Sequence, residues 1–233
     1  VIATVKGMTL PGTSGTDTLT GYATGDTING GGGDDSIEAR GGNDVVDGGT
    51  GADTITGGAG ADQLSGGDGI DTLHGNEGDD VILGGAGNDK LYGGDQYGRG
   101  VGNDVLDGGA GNDHLIGGLG SDTYLFGVGD GQDTINNVAD AWNGGADPTV
   151  GKIDVLQFKE GVLATQVTMV RSNDDLIVRI NGTNDQVTIQ NYFSHDAASI
   201  QGYAIEQLRF ADGTTWDIAA VKAMTLLGTS GND

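Results

Sequence analysis

The sequence contains no cysteine, two prolines and only twelve aromatic residues (two Trp, six Tyr and four Phe) among 233. Without cysteine the chain has no disulfides and no thiol chemistry, so a fold outside the cell would need another stabilising link. So few aromatic residues give poor support to an ordinary globular core. No apolar run approaches the roughly 20 residues that span a bilayer, so we predict no membrane insertion. What the chain has in excess is glycine, with 48 residues.

The charge is strongly one-sided, with 34 acidic residues against 10 basic ones and a formal net charge of −24. Such a chain repels nucleic acid and anionic surfaces, which excludes nucleic acid as a partner and makes a cationic partner the expectation. The acids are mainly aspartates at fixed positions rather than runs of Glu, and Asp beside Gly is typical of metal-binding turns. The glycines do not recur at every third residue, which excludes a collagen-like chain.

A nine-residue unit recurs twelve times between Gly12 and Leu125 when Gln96–Val101 is treated as a six-residue insertion. The clearest copies follow one another from Gly48 and read GGTGADTIT, GGAGADQLS and GGDGIDTLH. Every unit carries Asp at its sixth position and an apolar or aromatic residue at its eighth. A fixed short period of this kind predicts a repeat architecture rather than an ordinary domain.

Each unit divides into a six-residue glycine-rich turn and a predicted three-residue strand whose eighth-position side chain points inward. Two nonapeptide units complete one coil, so alternate turns stack in two columns. The odd units place one set of aspartates along one edge: Asp17, Asp35, Asp53, Asp71, Asp89 and Asp113. The even units place the other set along the opposite edge: Asp26, Asp44, Asp62, Asp80, Asp104 and Asp122. Carboxylates stacked at about 4.8 Å need a compensating cation.

These units resemble the RTX (repeats-in-toxin) haemolysin-type calcium-binding nonapeptide family, and the later part of the chain resembles its C-terminal capping region. The resemblance implies Ca²⁺ ions held between turns two repeats apart, by backbone carbonyls and one Asp carboxylate from each turn. For the clearest pair of turns the implied ligands are Gly49, Gly51 and Asp53 together with Gly66, Asp68 and Asp71. Five gaps in each of two columns predict about ten ions.

The second half of the chain has a different composition. Residues 123–233 hold nine of the twelve aromatic residues but only 12 of the 48 glycines, which predicts a cap with an ordinary core. Its predicted aromatic nucleus is Tyr124, Phe126, Trp142, Phe158, Tyr192, Phe193, Tyr203, Phe210 and Trp216. Its predicted strands are Ile153–Phe158, Gln166–Arg171, Leu176–Ile180, Gln186–Gln190 and Ile205–Phe210. Asp217 is expected to cap a short helix that ends near Met224.

The predicted fold is therefore all-β: a parallel β-roll, or β-solenoid, closed by a β-rich cap with one short helix. Residues 12–135 form the roll and 136–226 the cap, although degenerate units at Gly129–Ile135 and Gly151–Phe158 indicate that coils continue irregularly into the cap. Residues 2–17 match residues 218–233 at 12 of 16 positions. We therefore expect tandem copies of the whole unit, with residues 1–11 ending one copy and 227–233 beginning the next.

The predicted function is a calcium-binding module that folds outside the cell as a structural part of a large adhesin or toxin. Its export by a type I system is implied by the resemblance. Two alternatives stay open: a glycan or cell-surface ligand module, with Trp142 as platform, and an accessory domain of a secreted enzyme. We expect no catalytic activity, because the three histidines have no metalloprotease spacing and Ser194, His195 and Asp196 are merely adjacent in sequence.

Overall fold

A computed structural model describes residues 7–95, 100–136, 151–193 and 205–226. Within these ranges twenty strands form two ten-stranded sheets, with one 3-10 helix and one α-helix. The first sheet contains, in spatial order, β1 (Thr9–Thr13), β3 (Thr27–Gly32), β5 (Val45–Thr50), β7 (Gln63–Asp68), β9 (Val81–Ala86), β11 (Val105–Ala110), β13 (Thr123–Phe126), β15 (Val155–Phe158), β19 (Gln207–Arg209) and β20 (Thr215–Asp217). The second contains β16 (Val167–Ser172), β17 (Asp175–Ile180), β18 (Gln186–Ile189), β14 (Gln132–Ile135), β12 (His114–Ile116), β10 (Lys90–Tyr92), β8 (Thr72–Glu77), β6 (Thr54–Ala59), β4 (Ser36–Gly41) and β2 (Thr18–Thr20).

From β1 to β16 the strands alternate between the two sheets along the chain, so each coil of the roll contributes one strand to each sheet. Leu64 pairs in parallel with Val46 in the preceding coil and with Ile82 in the following one. The coil that contains the insertion is longer, yet Leu91 still pairs with Leu115 in the same register. The predicted all-β parallel β-roll and the six extra residues of this coil are confirmed. The predicted end of the insertion at Val101 is wrong, because Val101 pairs with Leu119 and accepts from the Gly78 amide as the third residue of a regular turn does.

A single row of apolar side chains from each sheet fills the interior. The eighth-position residues from the second unit to the twelfth are all at most 2% exposed: Ile28, Ile37, Val46, Ile55, Leu64, Leu73, Ile82, Leu91, Leu106, Leu115 and Tyr124. Complete burial of one such aliphatic side chain is worth about 1.5–3 kcal/mol. The core is therefore only one side chain thick per strand, and each coil has little apolar area with which to offset the entropy lost when its backbone is ordered.

The predicted three-residue strands are wrong for most units, because β3 to β9 and β11 each contain six residues. The ladder continues into the turns: Gly49 pairs with Gly67, and Thr50 pairs with Asp68, beyond the Val46–Leu64 pair. Identical turns superpose when coils stack, so their backbone groups meet at hydrogen-bonding distance as the strands do. Much of each turn is therefore also part of a sheet.

The second position of the stacked turns requires a left-handed backbone. Gly49 and Gly67 have φ values of 103° and 106°, and a β-carbon on Gly67 would collide with the carbonyl oxygen of Gly49. Arg40 and Asn76 occupy the same position with φ values of 82° and 76°, a conformation that is strained for residues with a side chain. Glycine is thus favoured at this position both by the backbone conformation and by the short distance between coils.

The cap grows out of the roll without a break in pairing. β15 and β19 extend the first sheet in parallel, and β18 extends the second, so the parallel ladders cross the predicted boundary at residue 135. Antiparallel pairing begins only with β16, β17 and β18 and with β19 and β20. The strand β20 is not predicted by the sequence, since three residues give too short a pattern.

The predicted short helix is α1, Ile218–Leu226, and the Oδ1 atom of Asp217 accepts a hydrogen bond from the Ala220 amide at 2.8 Å. The 3-10 helix covers Ala164–Gln166. Neither helix in the described ranges is long and apolar enough to cross a membrane.

Aromatic packing gives the cap a thicker core than the roll. Phe158 stacks on Phe210 with centroids 4.5 Å apart, and Phe126 and Trp216 each meet one of these rings edge to face. The predicted nucleus members Tyr124, Tyr192 and Phe193 are also buried. Its two other members, Trp142 and Tyr203, lie outside the described residues.

Gly67→Ala should destabilise the roll by about 1–3 kcal/mol, because the new β-carbon meets a backbone oxygen at a positive φ. Gly15→Ala is the matched control, since a β-carbon there meets nothing within 4 Å. The measurement is the thermal unfolding midpoint of each calcium-loaded variant. Equal midpoints for the two variants would contradict the steric role of the second position.

Candidate metal centre

Two ladders of aspartates run along the turns, one on each edge of the roll. In each ladder the backbone amide of one Asp donates to the Oδ1 atom of the Asp one coil further on, as from Asp53 to Asp71 and from Asp62 to Asp80, both at 2.8 Å. The odd ladder contains Asp17, Asp35, Asp53, Asp71, Asp89 and Asp113. The even ladder contains Asp26, Asp44, Asp62, Asp80, Asp104 and Asp122. The structure thus brings together the two predicted sets of carboxylates.

Each ladder continues beyond the twelve regular units. The amide of Asp113 donates to Asp133 at 3.0 Å, and that of Asp122 donates to Asp154 at 2.8 Å. The even ladder then ends at Glu206, which accepts from the amide of Asp154 at 2.6 Å. Asp133 and Asp154 stand in the degenerate units GDGQDTI and GKIDVLQF, so the Asp before the strand was a usable signal. Glu206 lies in a similar pattern, because residues 205–210 (IEQLRF) repeat the order of apolar and acidic residues in 153–158 (IDVLQF), so an acid before the strand was a usable signal there too.

The ladder carboxylates are buried although they are acidic. From Asp26 to Asp122 every member is at most 3% exposed, whereas Asp17 in the first coil is half-buried. At eight positions the Oδ2 atom is buried with no hydrogen-bond partner among the described residues: Asp35, Asp44, Asp53, Asp62, Asp71, Asp80, Asp89 and Asp113. A buried carboxylate oxygen without a partner costs several kcal/mol, so these positions require a cation or a proton.

Backbone oxygens approach the same carboxylates at the first position of each turn. A β-carbon added to Gly48 would collide with Oδ2 of Asp53 and lie 2.6 Å from the carbonyl oxygen of Gly66. The same holds one coil further on, where a β-carbon on Gly66 would meet Asp71 and lie 2.6 Å from the carbonyl of Gly84. First-position glycines therefore allow a carboxylate and a carbonyl to converge, which suits a hard cation with oxygen ligands.

Not every turn has a glycine at this position. Ala39 takes the first position in the turn of Asp44, and its side chain is fully buried. That turn must accommodate a methyl group where the others have open space beside the carboxylate.

The six predicted ligands of the clearest pair lie in two neighbouring turns of the odd column. The amide of Gly51 donates to the carbonyl of Asp68 at 2.8 Å, and the carbonyl oxygens of Gly49 and Gly51 face the next turn at Gly67 and Gly69. The side chain of Asp68 is exposed, so only its backbone faces the neighbouring coil. The ligand role of each of the six residues stays a prediction.

The donor set favours calcium over a transition metal. In the described part of the chain, no three acidic or histidine side chains converge on one point, so a site here must be completed by backbone carbonyls. His74 lies on β8 and stacks on Tyr92 at 4.6 Å, and His114 lies on β12. A set of carboxylates and carbonyls is the choice of Ca²⁺, whereas zinc prefers nitrogen and sulfur ligands.

Burial shifts the acidity of the ladders. It raises the pKa of Asp62 and Asp71 to about 6, that of Asp80 to about 7 and that of Asp104 to about 8. Burial is the largest effect on each of these pKa values. The hydrogen bond from the preceding Asp amide lowers each pKa and the neighbouring carboxylates raise it, but the net shift is upward. Near pH 7 the metal-free ladders therefore bind protons that an ion would have to displace.

The pattern of the roll and the chemistry of its turns define a protein class. The chain belongs to the RTX calcium-binding nonapeptide repeat family, whose model matches residues 11–46, 38–73, 65–98 and 100–135, more than half of the chain. Residues 175–220 match the haemolysin-type calcium binding protein related domain. The chain is thus a calcium-binding RTX-type module with an associated C-terminal region.

Particular relatives come from several bacteria. The chain is 44% identical over 105 residues to the iron-regulated protein FrpA of Neisseria meningitidis serogroup C, which covers 45% of this chain but only 8% of that protein. The AlgE6R3 subunit of the Azotobacter vinelandii mannuronan C5-epimerase has a TM-score of 0.36 and 28% identity, covering 75% of this chain and 92% of that one. The extracellular lipase LipA of Serratia marcescens has a TM-score of 0.33 and 21% identity, covering 88% and 40%.

Asp62→Asn should act in opposite directions with and without metal. Without calcium, removal of a buried charge should favour the folded chain. With calcium, loss of a charged ligand should weaken binding at that gap by at least about tenfold. The measurement is circular dichroism during calcium titration, and Asp47→Asn, which removes the same charge from an exposed side chain, is the control. Identical titrations for the two variants would contradict a ligand role for Asp62.

Calcium affinity should decrease as the pH is lowered. Because the folded-state pKa values lie above the unfolded value of about 3.9, protons stabilise the metal-free fold fully below about pH 4. This stabilisation is lost as pH rises through the folded values of about 6 to 8. The calcium midpoint should therefore rise by about tenfold or more between pH 8 and pH 5.5. A midpoint independent of pH would show that the ladder carboxylates are ionised before the ion arrives.

Proposed function

We propose that this chain is a folding module that takes up calcium outside the cell and becomes a rigid part of a large secreted RTX protein. The observation that carries the proposal is the series of eight buried carboxylate oxygens without a hydrogen-bond partner among the described residues. A fold that needs so many cations in its interior is complete only when they are bound. Calcium binding and folding are then one reaction.

The energetic balance supports this coupling. Neighbouring carboxylates about 4.8 Å apart repel one another by about 3–4 kcal/mol at an effective dielectric constant near 20. Ordering 48 glycines adds a large loss of backbone entropy. The single apolar row per strand offsets only part of these costs, so divalent cations supply the remainder.

We propose a stoichiometry of about ten ions. The six regular turns of each column leave five gaps, and two columns double that number. Ten divalent ions carry about twenty positive charges against a formal net charge of −24. The loaded module would then be close to neutral.

We assign the module to a large adhesin or toxin exported unfolded by a type I system from a calcium-poor cytosol. The match between residues 2–17 and 218–233 at 12 of 16 positions supports tandem copies of the module as neighbours. The lack of cysteine is compatible with this route, since no disulfide has to form. We assign the chain no catalytic role. The glycan alternative rested on Trp142, which lies outside the described residues, and an enzyme that the module would serve belongs to sequence beyond this chain.

The test is far-UV circular dichroism of the whole chain during calcium titration from a chelated start, combined with equilibrium dialysis that counts bound ions. A cooperative gain of β-sheet signal between sub-millimolar and millimolar calcium, with about ten ions bound, is expected. Magnesium is the control, because it demands six-fold geometry and dehydrates reluctantly. A full β-sheet signal in chelator would overturn the proposal.

A further inference from the structure

Two nearly identical segments of the chain have different structures. Residues 2–10 read IATVKGMTL and residues 218–226 read IAAVKAMTL. All nine residues of the second segment form α1, whereas the last two residues of the first, Thr9 and Leu10, begin the strand β1. The tripeptide Met-Thr-Leu therefore occurs once at the start of the roll and once at the end of the cap.

At the start of the roll the tripeptide completes the first coil. The carbonyl oxygen of Met8 accepts from the Thr27 amide at 2.7 Å, and the Met8 amide donates to Oδ1 of Asp26 at 2.6 Å. Leu10 pairs in parallel with β3 and packs against the apolar row. The edge of β3 is thus a surface that accepts a Met-Thr-Leu strand through the backbone, through one ladder carboxylate and through the core.

At the end of the cap the same tripeptide forms the last turn of α1. The Oγ1 atom of Thr225 donates to the carbonyl oxygens of Val221 and Lys222 at 3.0 and 3.1 Å. Val221 is completely buried, and α1 packs against β16 and β20. A residue in this turn cannot pair with a strand at the same time, because its backbone is helical.

The differences in sequence between the two segments agree with the two structures. Residues 2–11 and 218–227 differ at three positions. There the first segment has Thr4, Gly7 and Pro11, and the second has Ala220, Ala223 and Leu227. Alanine and leucine are good helix formers, whereas threonine, glycine and proline are poorer ones. All three differences therefore favour a helix in the second segment.

Two of the same positions suit the first segment to a strand. A β-carbon on Gly7 would collide with the carbonyl oxygen of Gly25, so stacking of the first coil favours glycine here. Pro11 disfavours a helical backbone at Leu10, and a proline is tolerated at this point because β1 is an edge strand of its sheet. Each segment thus carries the residues that its own structure requires.

We propose that this boundary segment is shared between successive copies of the module, as the end of a helix in one copy or as the first strand of the next. The proposal rests on the tandem copies in the proposed function. The residues at positions 7 and 11 assign the boundary before this roll to the strand, and those at positions 223 and 227 assign the boundary after this cap to the helix. A boundary that forms the strand unwinds the last turn of the helix before it, which couples the first coil of one copy to the cap of its neighbour.

Two tandem constructs that differ only in the boundary provide the direct test. Residues 1–217 followed by 2–233 place the first segment between the copies, and residues 1–233 followed by 18–233 place the second segment there. In calcium, Cα chemical shifts should show the shared Met-Thr-Leu as strand in the first protein and as helix in the second. The Thr27 amide of the second copy should exchange at least about tenfold more slowly in the first protein. The same conformation at both boundaries would overturn the proposal.

Variants of the single chain test the assigned positions. Thr4→Ala with Gly7→Ala and Pro11→Leu should deprotect the Thr27 amide at least about tenfold in calcium, while β5 to β9 keep their protection. Thr16→Asn is the matched control, because it is the one other difference between residues 2–17 and 218–233. This control should leave the Thr27 amide protected.

An unchanged Thr27 amide in the triple variant would overturn the proposal, and so would a loss of protection throughout the roll. Exchange of β5 to β9 in chelator tests the proposed function separately. Protection there would overturn calcium-dependent folding, and the comparison of the two boundaries would still decide this inference.

Discussion

The burial of stacked carboxylates is the constraint on which the rest of the structure depends. Each ladder Asp uses Oδ1 to accept the amide of the previous coil, which fixes the register between coils, and leaves Oδ2 facing a first-position glycine. The same Asp side chain therefore fixes the register between coils and supplies the negative charge that attracts a cation. Replacement of the acid by a neutral residue could keep the hydrogen bond, but it would lose the attraction for a cation. Aspartate is needed at the sixth position for both reasons together.

Glycine and the apolar row follow from that constraint. Coils can stack with carboxylates in line only if the turns superpose, and superposed turns leave no room for a β-carbon at positions such as Gly67. Turns without side chains contribute no apolar area, which leaves one inward side chain per strand as the hydrophobic core. A roll built in this way is regular but weakly cohesive. This geometry explains why the roll is rich in glycine and poor in aromatic residues.

Much of this arrangement could be predicted from the sequence because the period is local. The inward row, the two aspartate columns and the longer step across the insertion, from Asp80 to Asp104, all follow from counting positions. Ladder members beyond the regular units cannot be located by counting, because Asp133 follows Asp113 by 20 residues and Asp154 follows Asp122 by 32. Glu206 meets Asp154 across 52 residues, and Lys159 meets Asp107 and Asp130 across 52 and 29 residues, so these contacts arise only through long-range packing. Six-residue strands were missed because pairing within turns depends on the neighbouring coil, not on local propensity.

The proposed calcium sites link the stability of the roll to the concentration of calcium. A site that binds only in the folded state stabilises it by about 2.7 kcal/mol when the free ion is at a hundred times its dissociation constant. With several such sites in one cooperative stack, stability depends steeply on calcium, because each gap contributes a similar term. A site in such a stack is complete only when both of the turns that supply its ligands are in register, so each proposed ion also stabilises the pairing of the two coils that hold it.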